Sequence, residues 1–156
     1  MPATVSTDGL QRVVTGALER MAFVSAEPSP LTPGELLAQA AAHAVIELRG
    51  AESYVLTVSA TAGLIQEVVS GMIGCEPDDI DVDDHGRAAV AELANVFGGE
   101  LVRRLPETDE DGLLIGLPRE LLDEEAGDLA DRARAAGSTC VVKSALGFLM
   151  VTVSTD

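Results

Sequence analysis

Leu10, Val13, Val14, Ala17, Leu18 and Met21 recur every three or four residues, the period of a helix that turns one apolar stripe toward a core. Asp8 stands just before them as the expected N-cap, since its carboxylate can accept a first-turn N–H. The pattern stops before Ala26-Glu27-Pro28-Ser29-Pro30-Leu31-Thr32-Pro33-Gly34. Three prolines there remove backbone donors, so a loop within the domain is expected. The period then shortens to two. Over Ser53 to Ser59, Tyr54, Leu56 and Val58 alternate with Val55, Thr57 and Ser59, and His43 to Arg49 has a similar β-compatible make-up. The brief Gly50-Ala51-Glu52 link between them predicts an antiparallel pair. From Ala60 to Ile73 helical spacing returns through Leu64, Ile65, Val68, Val69 and Met72, with Gly74 as the terminator.

An acidic run, Glu76 to Asp84, precedes a third helical segment from Gly86 to about Leu105, which Pro106 ends. Leu113 to Leu117 reads as a short strand, and Pro118 to Ala136 as weaker helical or irregular chain. Thr139 to Ser144 and Phe148 to Ser154 form the arms of a hairpin that turns near Ala145-Leu146-Gly147. These elements predict an α/β fold, with helices packed on a largely antiparallel β-sheet. The 156 residues fit one domain, 1–156. Hydrophobic residues make up 47% and aromatics only 3%, so aliphatic side chains must fill the core.

Charge narrows the choice of partners. A formal net charge of −16 repels a phosphate backbone, which excludes nucleic acid and an anionic membrane surface as expected partners. No apolar run reaches the roughly 18 residues of a membrane span, and the first residues lack the basic start and apolar stretch of an export signal. A cytoplasmic protein is expected. Cys75 and Cys140 lie far apart with no other ligand at metal spacing, so they read as free thiols. His43 and His85 have no serine or cysteine nucleophile in a recognisable setting, which argues against a hydrolytic triad. Asp81-x-Asp83-x-His85-Gly86 followed by Glu92 imitates a calcium loop, but His85 stands where an oxygen ligand belongs and Ala88 where a β-branched residue is usual. No metal site and no cofactor bound by this chain are expected.

The third helix carries the chemistry. At about 100° per residue, Val90, Leu93, Phe97 and Leu101 gather on one side and Ala94 at its edge, a core-facing set. Glu92 and Asn95, three residues apart, project together on the other side, flanked by Ala88 and Gly99. A merely solvated face favours Lys, Glu or Gln, whereas Gly costs about 1 kcal/mol against Ala there. Small residues around an acid and an amide predict a surface that another molecule approaches closely. Asn can donate and accept, so it can orient a water; ionised Glu accepts only, so it can pair with a lysine.

Glu92-x-x-Asn95 with Gly99 four residues on resembles the signature helix of the CheC/CheX/FliY chemotaxis phosphatases. Leu18-Glu19-Arg20-Met21-Ala22-Phe23, leading to Ala26-Glu27-Pro28, is similar to the first-helix region of the CheX-like members, and the closing hairpin fits their final strands. The resemblance implies a CheC/CheX-like fold and hydrolysis of the aspartyl phosphate of a CheY-like receiver domain. Asn95 would position the attacking water and Glu92 would pair with the receiver's lysine, while Mg²⁺ would be supplied in the receiver's site. Ala88 and Gly99 would form the docking floor, and a homodimer is implied. CheC-type members carry a second Glu-x-x-Asn on the first helix; Ala22 replaces that amide here, which implies one site per chain. Ala91 and Glu100 stand where Gly and Asn are common in the family. The alternative is a CheX-like domain that binds a receiver or another signalling partner without catalysis.

Overall fold

Ser6, not Asp8, starts the first helix, α1 (Thr7–Ala22): its hydroxyl accepts the Gly9 N–H at 3.0 Å, and Asp8 sits inside the first turn. Both arrangements suit a helix N-terminus, and serine two residues earlier satisfies an otherwise orphaned donor. In the computed structural model, residues 6–49, 53–103, 114–121, 128–129, 131 and 138–155 are described. The apolar stripe of α1 is buried as its spacing predicts, with Leu10, Val14 and Leu18 wholly enclosed.

The proline-rich loop contains two elements that its composition conceals. Glu27–Pro28 forms a two-residue strand, β1, and Pro33–Gln39 forms a helix, α2. Thr32 caps α2 by accepting the Glu35 N–H, while Glu35 reaches back to the Thr32 N–H, a reciprocal capping box with Pro33 in the first turn. Strands β2 (Ala40–Arg49) and β3 (Tyr54–Thr61) are the expected antiparallel pair, with His43 opposite Ser59 and Leu48 opposite Tyr54. Helix α3 (Ala62–Ile73) ends at Gly74, which adopts φ 78° and donates to Ser70. Helix α4 (Val82–Val102) begins one turn earlier than expected, so Asp83 and Asp84 belong to its first turn rather than to the loop before it.

Strand β4 (Leu114–Ile115) falls within the expected segment, but Arg119–Leu121 is a further strand, β5, where helical or irregular chain is expected. Most of 122–137 lies outside the described residues. Strands β6 (Ser138–Lys143) and β7 (Phe148–Thr155) form the closing hairpin. Among the described residues, seven strands build one sheet in the order β1-β6-β7-β3-β2-β4, with β5 also on β2, and every pairing is antiparallel.

Alternation along the strands assigns the two faces of the sheet. Ala44, Ile46 and Leu48 of β2, Leu56 and Val58 of β3, and Val151 and Val153 of β7 point into one core with α1, α3 and α4. The intervening positions serve the other face, where Leu36 of α2 packs with Met150 against Val141 and Phe148. Of the described helices, α1, α3 and α4 thus lie on one face and α2 on the other.

Close approach fixes the helix layer. A Cβ added to Gly71 of α3 would stand 1.7 Å from the Ala22 carbonyl oxygen, and one at Gly63 would stand 1.9 Å from that of Leu146. Side-chain bonds secure the same helix, because Glu67 accepts from the Ser144 hydroxyl and the Leu146 N–H in the hairpin turn. Helix α3 is therefore wedged between the end of α1 and the β6–β7 turn.

Candidate functional site

Helix α4 is about 30 Å long by its rise per residue, and Asp81 caps it by accepting the Asp83 N–H at 3.0 Å. That bond and the unbroken helix from Val82 onward turn the calcium-like run into a helix start, so no ligand-bearing loop forms there. Among the described residues, no three His, Cys, Asp or Glu side chains gather in a way that could hold a metal ion.

Every third or fourth residue of α4 enters the core. Val90, Leu93, Ala94, Phe97 and Leu101 are fully buried, and at about 1.5–3 kcal/mol for each large side chain this burial sets the rotation of the helix. Fixing the inner face fixes the outer one. Ala88, Glu92 and Asn95 are exposed, and Gly99 is partly exposed. The structure thus keeps all four sequence-predicted residues together on one outward stripe, with Glu92 and Asn95 about 5–6 Å apart at Cβ by helical geometry. Within the described residues neither of these two side chains is tied down by a hydrogen bond or ion pair.

The two adjacent glycines have different surroundings. Gly98 is buried, and a Cβ there would make ordinary contacts of 3.5–3.6 Å with Leu48 and Ile46 of the sheet. Around Gly99 a Cβ would meet nothing within 4 Å. No internal packing accounts for a glycine at that point, although it costs about 1 kcal/mol in an exposed helix. The result is bare backbone beside Asn95.

The surroundings show residues that the sequence alone did not single out for the site. Arg20 of α1 reaches Glu100 of α4 at 3.5 Å, and its guanidinium lies over Gly16, where a Cβ would stand 3.1 Å from it. On another flank Arg87 lies 3.9 Å from Glu120 of β5. Recognising either pair requires knowing which elements become neighbours. Ala22, the first-helix position that bears an amide in two-site proteins of the resembling family, is buried with its carbonyl against Gly71. A larger polar group has no outlet there.

Two concave features among the described residues lie elsewhere. A cavity of about 330 Å³ is bounded by His43, Val82, Asp83, Arg87 and Leu121, and Arg87 is about 140° around α4 from Glu92. His43 is a buried member of the β2–β3 pair, with its Nδ1 2.8 Å from the Ser59 hydroxyl. His85 is exposed near the start of α4. Among the described residues the acid and amide line neither this cavity nor the one bounded by Val45, Glu47 and Arg119, and both are exposed on the outer ridge of α4, where they can approach another molecule. No helix among the described residues is long and apolar enough to cross a membrane.

No protein-family model matches the chain, and no curated protein matches it. Solved structures do. The chemotaxis protein CheX from Vibrio vulnificus superposes with a TM-score of 0.67 at 14% identity, over 96% of this chain and 95% of that one. CheX in a CheX–CheY–BeF3–Mg²⁺ complex from Borrelia burgdorferi gives 0.64 at 14% identity, over 97% and 99%. A CheC-like superfamily protein from Shewanella sp. PV-4 gives 0.63 at 18% identity, over 96% of each chain. Helices on an antiparallel sheet, matched over nearly the full length of these proteins, give this chain the fold of the CheX and CheC-like chemotaxis proteins.

Proposed function

We propose that this protein accelerates hydrolysis of the aspartyl phosphate on a CheY-like receiver domain. The observation that carries the reading is the exposed pair on α4, Glu92 and Asn95, one helical turn apart and backed by a buried apolar face. Support also comes from the shared fold and from one structural relative being a CheX seen in complex with CheY.

In this mechanism the ridge of α4 enters the receiver's phosphorylated site. The Glu92 carboxylate accepts from the receiver's lysine and so sets the register of the two proteins. The Asn95 carboxamide then accepts from and donates to a water, holding it in line with the phosphorus atom. Phosphoryl transfer leaves little covalent work for a protein; positioning and charge stabilisation supply most of the acceleration. Magnesium belongs to the receiver in this scheme, and the residues of this chain do not hold it. Ala88 and Gly99 keep the ground around the pair low enough for close approach. We further propose a homodimer, as the resemblance implies, which light scattering on the purified protein would detect.

The test is a phosphate-release assay on phosphorylated receivers with Mg²⁺. Wild-type protein should shorten the phosphoryl half-life on its cognate receiver. Asn95→Ala should lower that acceleration about a hundredfold, equivalent to roughly 2.7 kcal/mol of barrier, with an unchanged circular dichroism spectrum. A protein that binds the receiver yet leaves the half-life unchanged would instead be the non-catalytic domain.

A further inference from the structure

The pair Arg20–Glu100 joins α1 to α4 beside the outward ridge, and its surroundings are arranged to permit it. Glu100 follows the bare Gly99 and lies about 80° around the helix and about 12 Å along it from Glu92. Its side chain is one quarter exposed and meets the Arg20 guanidinium at 3.5 Å. Arg20 itself is more than half exposed, and it lies against Gly16, one turn earlier on α1, where a Cβ would crowd its Nη1 at 3.1 Å. A glycine inside an exposed helix is unfavourable by itself. Here the Arg20 guanidinium rests over it, at the flexible end of a side chain that is more than half exposed. An exposed ion pair of this kind contributes little to stability, which leaves its effect on the charge of the ridge as the larger consequence.

Only 10 lysines and arginines serve a chain with 26 acids, so a cation committed to one carboxylate changes the local field. We propose that Arg20, seated over Gly16, is a positioning residue that masks Glu100. It compensates the Glu100 carboxylate on the α1 side of α4, so that Glu92 is the carboxylate left uncompensated on the outward stripe for a receiver's lysine. This rests on the function proposed above. Released, Glu100 would leave an uncompensated negative charge about 12 Å along α4 from Glu92, on the flank of the surface where a phosphorylated, acidic site must dock.

The experiment compares wild type, Arg20→Gln, Arg20→Lys, Glu100→Gln and the double variant Arg20→Gln/Glu100→Gln by receiver dephosphorylation, with kcat and KM resolved separately. Arg20→Gln should raise KM about fivefold at low salt while kcat stays within about twofold, and the effect should shrink near 0.5 M salt as screening shortens. Arg20→Lys, Glu100→Gln and the double variant should all behave like wild type. If Arg20→Gln matches wild type, or if the double variant is as impaired as Arg20→Gln, masking is overturned while the phosphatase reading stands. Titration against receiver activated with beryllofluoride supplies the second readout. A wild type that binds without catalysis should show the same fivefold pattern in Kd, and a flat series there overturns masking. A wild type that neither binds nor hydrolyses overturns the function and the masking together.

Discussion

Phe23 closes α1 in the left-handed conformation, φ 57° and ψ 29°, with its N–H shared between the Glu19 and Leu18 carbonyls, and its ring is 82% exposed. A side chain in that region costs roughly 1 kcal/mol that glycine avoids. Phe23→Gly should therefore raise stability by about 1 kcal/mol in urea unfolding; a loss instead would mean that the ring makes stabilising contacts. Cys140 shows the opposite situation, a reactive type silenced by its place. Burial in the β6 strand pushes its thiol up to about 12, since the charged form cannot be solvated there. The sign follows from linkage: a folded value above the ordinary 9.0 means that stability is intact below pH 9 and declines as pH climbs toward 12. Wild type should lose stability relative to Cys140→Ala across that alkaline range. At neutral pH, thiol reagents should label the partly exposed Cys75 first and reach Cys140 only on unfolding.

Helix α3 depends on two places where backbone touches backbone. Gly71→Ala would drive a methyl group into the Ala22 carbonyl, a contact that no rotamer relieves. The expected cost is about 3 kcal/mol, at the upper end for overpacking, and is measurable as a fall in the urea midpoint. Gly99→Ala should be neutral or slightly stabilising, because its Cβ would enter open space. The same elements show what could be read from residues alone. The three helices that carry long apolar stripes and the two hairpins were legible, since a period of 3.6 or of 2 repeats several times within each. Strands β1 and β5 were not, because two or three residues cannot display a period and their pairing partners lie far away in the chain. Helix α2 is encoded in Thr32-Pro33-Gly34-Glu35, a capping box with proline at the start, but the prolines at 28 and 30 give the same stretch the composition of a loop. In the site, the outward set on α4 followed from its core-facing residues. The Arg20–Glu100 contact did not, because it depends on how α1 and α4 are brought together.

The molecule as a whole carries a net charge of −16 at neutral pH. Like charges resist compaction, and added salt screens them with a Debye length that falls from about 30 Å at 0.01 M to 8 Å at 0.15 M. The melting temperature should therefore rise by several degrees between those concentrations, as thermal unfolding would show; an unchanged value would mean that the acids are already well separated. Placing the proposed working face on α4 has a further effect. That helix is an unbroken span from Val82 to Val102 whose inner residues belong to the main core, so the ridge has no hinge within it. Its amides should exchange with solvent as slowly as those of the central strands, and warming should silence the ridge only at the temperature at which the entire domain comes apart.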